Sequence, residues 1–157
     1  MRSENKLLVF DVETTGLLPK QEKMNMHTIN NYPHIIQFSY LLYDISKNQI
    51  IKKSDNYINV DSSVEIGPKI TELTGITRDK CKNGINILNA LKDFYDLYSQ
   101  SDVIISHNMN FDRTMVLAEM CRNHNSITNT MPYMFTLFNK AQMTRSEKSL
   151  YCTMKNG

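Results

Sequence analysis

Tryptophan is absent from this chain, and cysteine, glycine and long apolar runs are scarce. The 157 residues include three cysteines and five glycines. Cys81, Cys121 and Cys152 show no Cys-x-x-Cys spacing, which argues against a disulfide framework and against a zinc site. The apolar run Leu7–Phe10 near the N-terminus is too short for a signal peptide or a membrane span. We therefore expect a soluble cytoplasmic protein with reduced thiols that does not contact a membrane.

Length and composition fit one domain, which we assign to residues 1–157. A hydrophobic content of 41% is sufficient for a core. The net charge of +2 neither requires nor excludes a nucleic-acid partner, so charge does not decide the function class.

Hydrophobic periodicity predicts a mixed sheet with helices packed on it. The first strand is a continuous apolar run, which suggests burial on both faces. A turn at Lys47-Asn48 joins the next two strands, and the polar segment 18–33 is predicted to be a loop. Strands are predicted at Lys6–Asp11, Ile35–Ile45, Gln49–Val60, Asp102–Ser106 and Leu150–Met154. Helices are predicted at Pro68–Leu73, Asn86–Tyr98, Asn108–Arg122 and Pro132–Met143.

Two acids stand at the end of the first predicted strand. Asp11 and Glu13 are two positions apart, so in an extended chain their side chains point to the same face. The carboxyl ends of strands are where α/β sheets commonly bind ligands. Paired carboxylates are hard oxygen ligands that suit Mg²⁺ or Mn²⁺. The alternative is that both acids are solvated at an ordinary strand end.

A second acidic motif spans a strand end and the start of a helix. Asp112 falls in the first turn of the helix that Asn108 is predicted to cap. Free N–H groups and the helix dipole favour an ionised carboxylate there. Helix capping alone remains the alternative role for Asp112, and core packing remains the alternative role for Phe111.

The string Phe10-Asp11-Val12-Glu13-Thr14-Thr15-Gly16-Leu17 resembles the first motif of the DnaQ-like (DEDDh) 3′–5′ exonucleases. The resemblance implies that Asp11 and Glu13 are catalytic metal ligands. It also implies contacts to the terminal nucleotide from Thr14, Thr15, Gly16 and Leu17.

The segment His107–Asp112 resembles the second motif of this family, His-Asn-x-x-Phe-Asp. By that resemblance Asp112 is the third metal-binding carboxylate, Asn108 braces the loop, and Phe111 lies near the penultimate nucleotide. A weaker match covers Ile70–Thr77, where Thr74 replaces the histidine of many members.

The family resemblance implies a ribonuclease-H-like α/β fold, with a mixed sheet flanked by helices. It implies hydrolysis of the terminal phosphodiester at a 3′ end of DNA or RNA, with two Mg²⁺ or Mn²⁺ ions about 4 Å apart. Single-stranded or frayed ends are the expected partners, because the terminal bases must enter a cleft and stack there.

The third family motif, a histidine followed five residues later by aspartate, is missing. No aspartate follows Asp112, and we interpret His124 as a surface residue. We therefore expect a truncated or partial copy that is C-terminally incomplete and lacks the last helices. The alternatives are a non-catalytic nucleic-acid-binding or interaction module that keeps the exonuclease cleft, and an unrelated α/β domain with coincidental motifs.

Overall fold

The computed structural model describes residues 5–156, and its centre is a five-stranded mixed sheet. The strand order is β3-β2-β1-β4-β5, with β1 antiparallel to β2 and parallel to β4. This arrangement confirms the predicted mixed sheet. The strands are β1 (Lys6–Thr14), β2 (Ile35–Asp44), β3 (Gln49–Tyr57), β4 (Val103–Ser106) and β5 (Ser149–Cys152).

The helices begin and end where local signals place them. The Asn86 side chain accepts a hydrogen bond from the Leu88 amide at the start of the third helix, and Gly75 ends the first helix with φ 75°. None of the helices between residues 5 and 156 is long and apolar enough to cross a bilayer. The helices are α1 (Pro68–Thr74), α2 (Arg78–Lys82), α3 (Ile87–Gln100), α4 (Met109–Arg122), α5 (His124–Thr130), α6 (Lys140–Arg145) and α7 (Thr153–Asn156).

One face of the sheet forms the core. Phe10 of β1 and Phe38 of β2 each lie 5.1 Å, centroid to centroid, from Phe94 of α3. Of the residues of β1 that alternate with this buried set, Leu7, Val9 and Glu13 are half-buried and Asp11 is exposed. The prediction of burial on both faces was therefore wrong. Because β1 pairs with the antiparallel strand β2, it follows the one-face alternation of antiparallel sheets.

Several predicted segments differ from the structure. The strand predicted over Lys6–Asp11 continues to Thr14, and the strand predicted over Gln49–Val60 ends at Tyr57. The predicted helix Pro132–Met143 is a 3-10 helix (Pro132–Thr136) followed by α6, because Phe138 takes a left-handed conformation between them with φ 60°. Phe138 packs on the aromatic core, and its amide donates to the Tyr98 hydroxyl. The last predicted strand ends early, at Cys152. The predicted loop 18–33 contains a 3-10 helix, Ile29–Asn31, anchored by the buried Ile29 side chain.

Candidate active site

A β-bulge re-aims the chain at the end of β1. Glu13 pairs with Gln37, whereas Thr14 pairs with Ile35, so one residue of β2 is skipped between them. The Thr14 hydroxyl then donates to the Gly16 carbonyl at 2.6 Å and closes a tight turn. Bulges increase local twist and redirect side chains, and they are common beside active sites. This bulge lies next to both predicted acids of β1.

Thr15 holds that turn against the start of β2. Its amide donates to the His34 carbonyl at 3.0 Å, and its hydroxyl accepts from the His34 amide at 3.0 Å. These reciprocal bonds fix the Thr15 backbone to residue 34. The predicted contact between Thr15 and the substrate stays a prediction, and this anchor fixes the backbone that would make it.

Asp112 is buried in the first turn of α4, with 3% of its surface exposed. Burial raises the pKa of its carboxyl to about 7, and the charges of Asp11 and Glu13 add to that rise. Hydrogen bonds from the Ser106 hydroxyl and the Val12 amide lower the pKa and offset part of the effect. Asp112 is thus held against the backbone of β1, at the residue between Asp11 and Glu13.

The pKa values of Asp11 and Glu13, the two acids of β1, are also raised. Burial raises the pKa of Asp11, whereas the neighbouring His107 and the Val12 amide lower it. Burial also raises the pKa of Glu13, and the charge of Asp11 raises it further. His107 is itself fixed by a hydrogen bond of 2.9 Å between its Nδ1 and the Thr153 hydroxyl. Carboxylates from residues 11, 13 and 112 therefore act on one another across about a hundred residues of sequence.

The chemistry of these donors fits a hard divalent cation. Carboxylate oxygens are the ligands that Mg²⁺ and Mn²⁺ prefer, and mutual repulsion between the acids is relieved by a cation. Across residues 5–156, however, no three acidic, histidine or cysteine side chains are positioned as a ready-made ligand set. The Asp112 carboxylate is instead turned to Ser106. The donor types match a metal centre, while the coordination geometry is not formed.

A cavity of about 450 Å³ opens beside Glu13. Its apolar rim is exposed, with Leu17 86% and Leu73 72% accessible. Large aliphatic side chains that stand this far out of a surface suit the binding of a flat apolar group. The cavity is lined by Glu13, Thr14, Gly16, Leu17, Lys69, Ile70, Leu73, Thr74 and Phe111.

The predicted substrate-binding residues divide into two groups. Thr14, Gly16, Leu17 and Phe111 line the cavity together. Asn108 does not line it, since its side chain accepts from the Phe111 amide and caps α4. Sequence reasoning missed the α1 side of the cavity, including Lys69 and Leu73. The weak family match over Ile70–Thr77 was the signal that could have identified it.

Comparison with known sequences gives one family and a set of bacterial relatives. The family model described as "Exonuclease" (RNase_T) matches residues 8–154. DNA polymerase III PolC-type from Streptococcus agalactiae is 34% identical over 134 residues, which is 85% of this chain and 8% of the relative. The Clostridium perfringens protein of the same name is 27% identical over 98% of this chain and 10% of its own length. The chain thus spans about a tenth of these relatives.

Solved structures share the fold at low sequence identity. Escherichia coli exonuclease I in complex with a 5cy-dA13 oligonucleotide matches with a TM-score of 0.63 and 19% identity, over 94% of this chain and 28% of that one. The nuclease domain of 3′hExo, a DEDDh family member bound to rAMP, matches with a TM-score of 0.57 and 13% identity, over 77% and 60%. These likenesses confirm the predicted fold class.

Proposed function

This chain belongs to the RNase_T exonuclease family, and from that premise we propose that it is a metal-dependent 3′–5′ exonuclease. The observation that carries the proposal is the position of the buried Asp112 carboxylate at the Val12 amide, between Asp11 and Glu13, with Glu13 lining an apolar cavity. Three like charges gathered at one strand end are unfavourable without a cation, and acids with perturbed pKa values in a cleft are characteristic of functional sites.

The proposed chemistry is hydrolysis of a terminal phosphodiester. Asp11, Glu13 and Asp112 would hold Mg²⁺ or Mn²⁺, which when bound polarises the scissile phosphate and lowers the pKa of the attacking water. Ser106 and the Val12 amide keep the Asp112 carboxylate at the β1 backbone.

The proposed substrate is the 3′ end of a single-stranded or frayed nucleic acid. Leu17 and Leu73 present exposed aliphatic side chains, and Phe111 adds an aromatic residue to the lining of the same cavity. A nucleobase offers the matching flat apolar face. Lys69 places a positive charge on the same wall, which suits a polyanion. A paired duplex would have to open before its terminal base entered this cavity.

The test is degradation of labelled oligonucleotides. The chain is incubated with 5′-labelled single-stranded DNA or RNA and Mn²⁺, and the products are resolved by length. We expect stepwise shortening from the 3′ end that chelation abolishes and that Asp11→Ala and Asp112→Asn reduce by at least about a hundredfold. Asp96→Ala, an exposed acid on α3, is the matched control and should retain full activity. Equal activity in Asp11→Ala and wild type would refute the assignment.

A second candidate function is nucleic-acid binding without cleavage. It is favoured by the incomplete ligand geometry among the described residues. This candidate predicts that the chain binds oligonucleotide, that Mn²⁺ produces no shortening, and that Asp11→Ala leaves the affinity unchanged. The same gel and a fluorescence-anisotropy titration therefore separate the two functions.

A further inference from the structure

A buried ion pair lies at the far end of the helix that carries Asp112. Glu119 is 3% exposed and pairs with Arg122 one turn later on α4. Buried acids are rare unless they are paired, and removing one partner leaves an uncompensated charge in the interior. The stability of α4 alone does not explain a buried pair, because a pair with the same spacing on the surface would avoid the cost of desolvation.

Both members of the pair also bind the backbone that leads into β2. Arg122 donates from its Nη2 to the carbonyls of Tyr32 and Pro33 at 3.0 and 3.1 Å, and to that of Ile29 at 3.5 Å. Glu119 accepts from the Ile35 amide at 3.2 Å. The pair therefore holds the backbone on both sides of one residue, His34.

His34 is the residue to which the Thr15 turn is anchored. Its amide and carbonyl make the two reciprocal bonds with Thr15, at 3.0 Å each. A continuous set of hydrogen bonds thus runs from α4 through residues 32–35 to the turn that lines the cavity. The two ends of this connection are Asp112, at the start of α4, and Gly16, at the cavity wall.

We propose that Glu119 and Arg122 are positioning residues, which fix the Thr14–Gly16 turn relative to Asp112. The inference rests on the proposed function for its consequence, because the turn carries the cavity wall while α4 carries the third acid. A fixed distance between them sets where the terminal nucleotide lies against the carboxylates. Misplacement by about 1 Å far from the reacting atoms can cost a hundredfold in rate.

The first measurement follows the turn directly, without substrate. Hydrogen exchange of backbone amides is compared in wild type, Arg122→Met and Arg122→Lys. We expect Arg122→Met to speed exchange at Thr15 about tenfold or more, because its bond to His34 loses its support, while the amides of β4 keep wild-type protection. Arg122→Lys should recover part of the protection, since lysine can still pair with Glu119 and donate to one carbonyl.

The second measurement follows the nucleotide cavity. Affinity for a 5′-fluorescein dT oligonucleotide is titrated by anisotropy in Ca²⁺, and Mn²⁺ affinity is titrated separately. We expect Arg122→Met to weaken oligonucleotide binding by about 10- to 100-fold while Mn²⁺ affinity changes less than twofold. Lys52→Met, which removes the exposed Lys52–Asp93 ion pair, is the control and should change neither.

Three results would overturn the proposal. These are unchanged exchange at Thr15 in Arg122→Met, faster exchange spread equally over β4, or a parallel loss of Mn²⁺ and oligonucleotide affinity. If Arg122→Met does not fold, Glu119→Gln keeps the side-chain shape and is expected to give a smaller effect in the same direction. Failure of the proposed function is a separate result, in which wild type does not cut or bind oligonucleotide while the exchange data still decide the positioning role.

Discussion

Replacing Asp112 by asparagine should make the metal-free protein more stable above neutral pH. The Asp112 carboxyl has a pKa raised by burial from 3.8 to about 7, so the folded protein binds more protons than the unfolded chain between these values. Stability must therefore fall as pH rises through that window. The stability that the protonated Asp112 carboxyl contributes to folding is fully present below pH 3.8 and fully lost above pH 7. Asparagine keeps the size and the hydrogen-bonding oxygen but has no charge to bury.

The size of the effect follows from the same two values. At 1.36 kcal/mol per pH unit, the gap between 3.8 and about 7 corresponds to at most about 4 kcal/mol, and partial solvent screening reduces it to roughly 2–4 kcal/mol. We expect Asp112→Asn to exceed wild type by that amount at pH 8 and to match it near pH 4. Burial lowers the pKa of His34 to about 4, so His34 makes the free energy of unfolding rise with pH between 4 and 6.5. That slope is present in both proteins and cancels in the difference.

The assay is urea denaturation at several pH values, in EDTA and again with Mn²⁺. A cation at 100 times its dissociation constant should stabilise wild type by about 2.7 kcal/mol at pH 8. It should stabilise Asp112→Asn much less, because one carboxylate ligand is gone. The reasoning is refuted if the variant is no more stable than wild type at pH 8 in EDTA, or if the two proteins share one pH dependence.

The remaining predictions concern the cavity rim and two glycines. Leu17→Ala and Leu73→Ala should each weaken oligonucleotide affinity about fivefold, roughly 1 kcal/mol. The melting temperature should not change, because both side chains are exposed. Anisotropy titration and thermal melts measure the two quantities, and a lower melting temperature would contradict the prediction. Gly84→Ala should cost about 3 kcal/mol in urea denaturation, because the new Cβ would lie 2.3 Å from the Tyr57 carbonyl oxygen. In Gly75→Ala the new Cβ meets no atom within 4 Å, so the substitution should cost only about 1–2 kcal/mol of stability for its positive φ. A larger loss of stability at Gly75 than at Gly84 would contradict both predictions.

Local signals were enough to predict most of the fold. Asn108 caps α4 and Gly75 ends α1, both as their sequence context indicated. The turn predicted at Lys47-Asn48 is present, and Asn48 adopts the positive φ that asparagine tolerates. Such features depend on neighbouring residues in the chain, and for that reason they can be predicted from the sequence. The order of elements, with two antiparallel strands before the parallel crossover, followed from the same signals.

Features that depend on distant residues could not be predicted in this way. Phe138 breaks a helical segment because its ring fits a distant aromatic cluster. Glu119 is buried on α4, where the amide of the distant residue Ile35 donates to its carboxylate. Leu73 joins the cavity only because α1 packs beside the β1 turn. The short helices α2 and α5 were missed because each is too short to show a helical period. The site roles of Asp11, Glu13 and Asp112 remain predictions.

The position of β1 between an antiparallel and a parallel neighbour has a consequence during synthesis. Its β2 side can pair as soon as residue 44 is available, while its β4 side must wait until residue 106 has left the ribosome. At 5–20 residues per second, the interval of about sixty residues corresponds to roughly 3–12 s. During that time the nascent meander of β1, β2 and β3 exposes the β1 edge that β4 later covers, so partners that shield unpaired strand edges should affect the yield of folded protein.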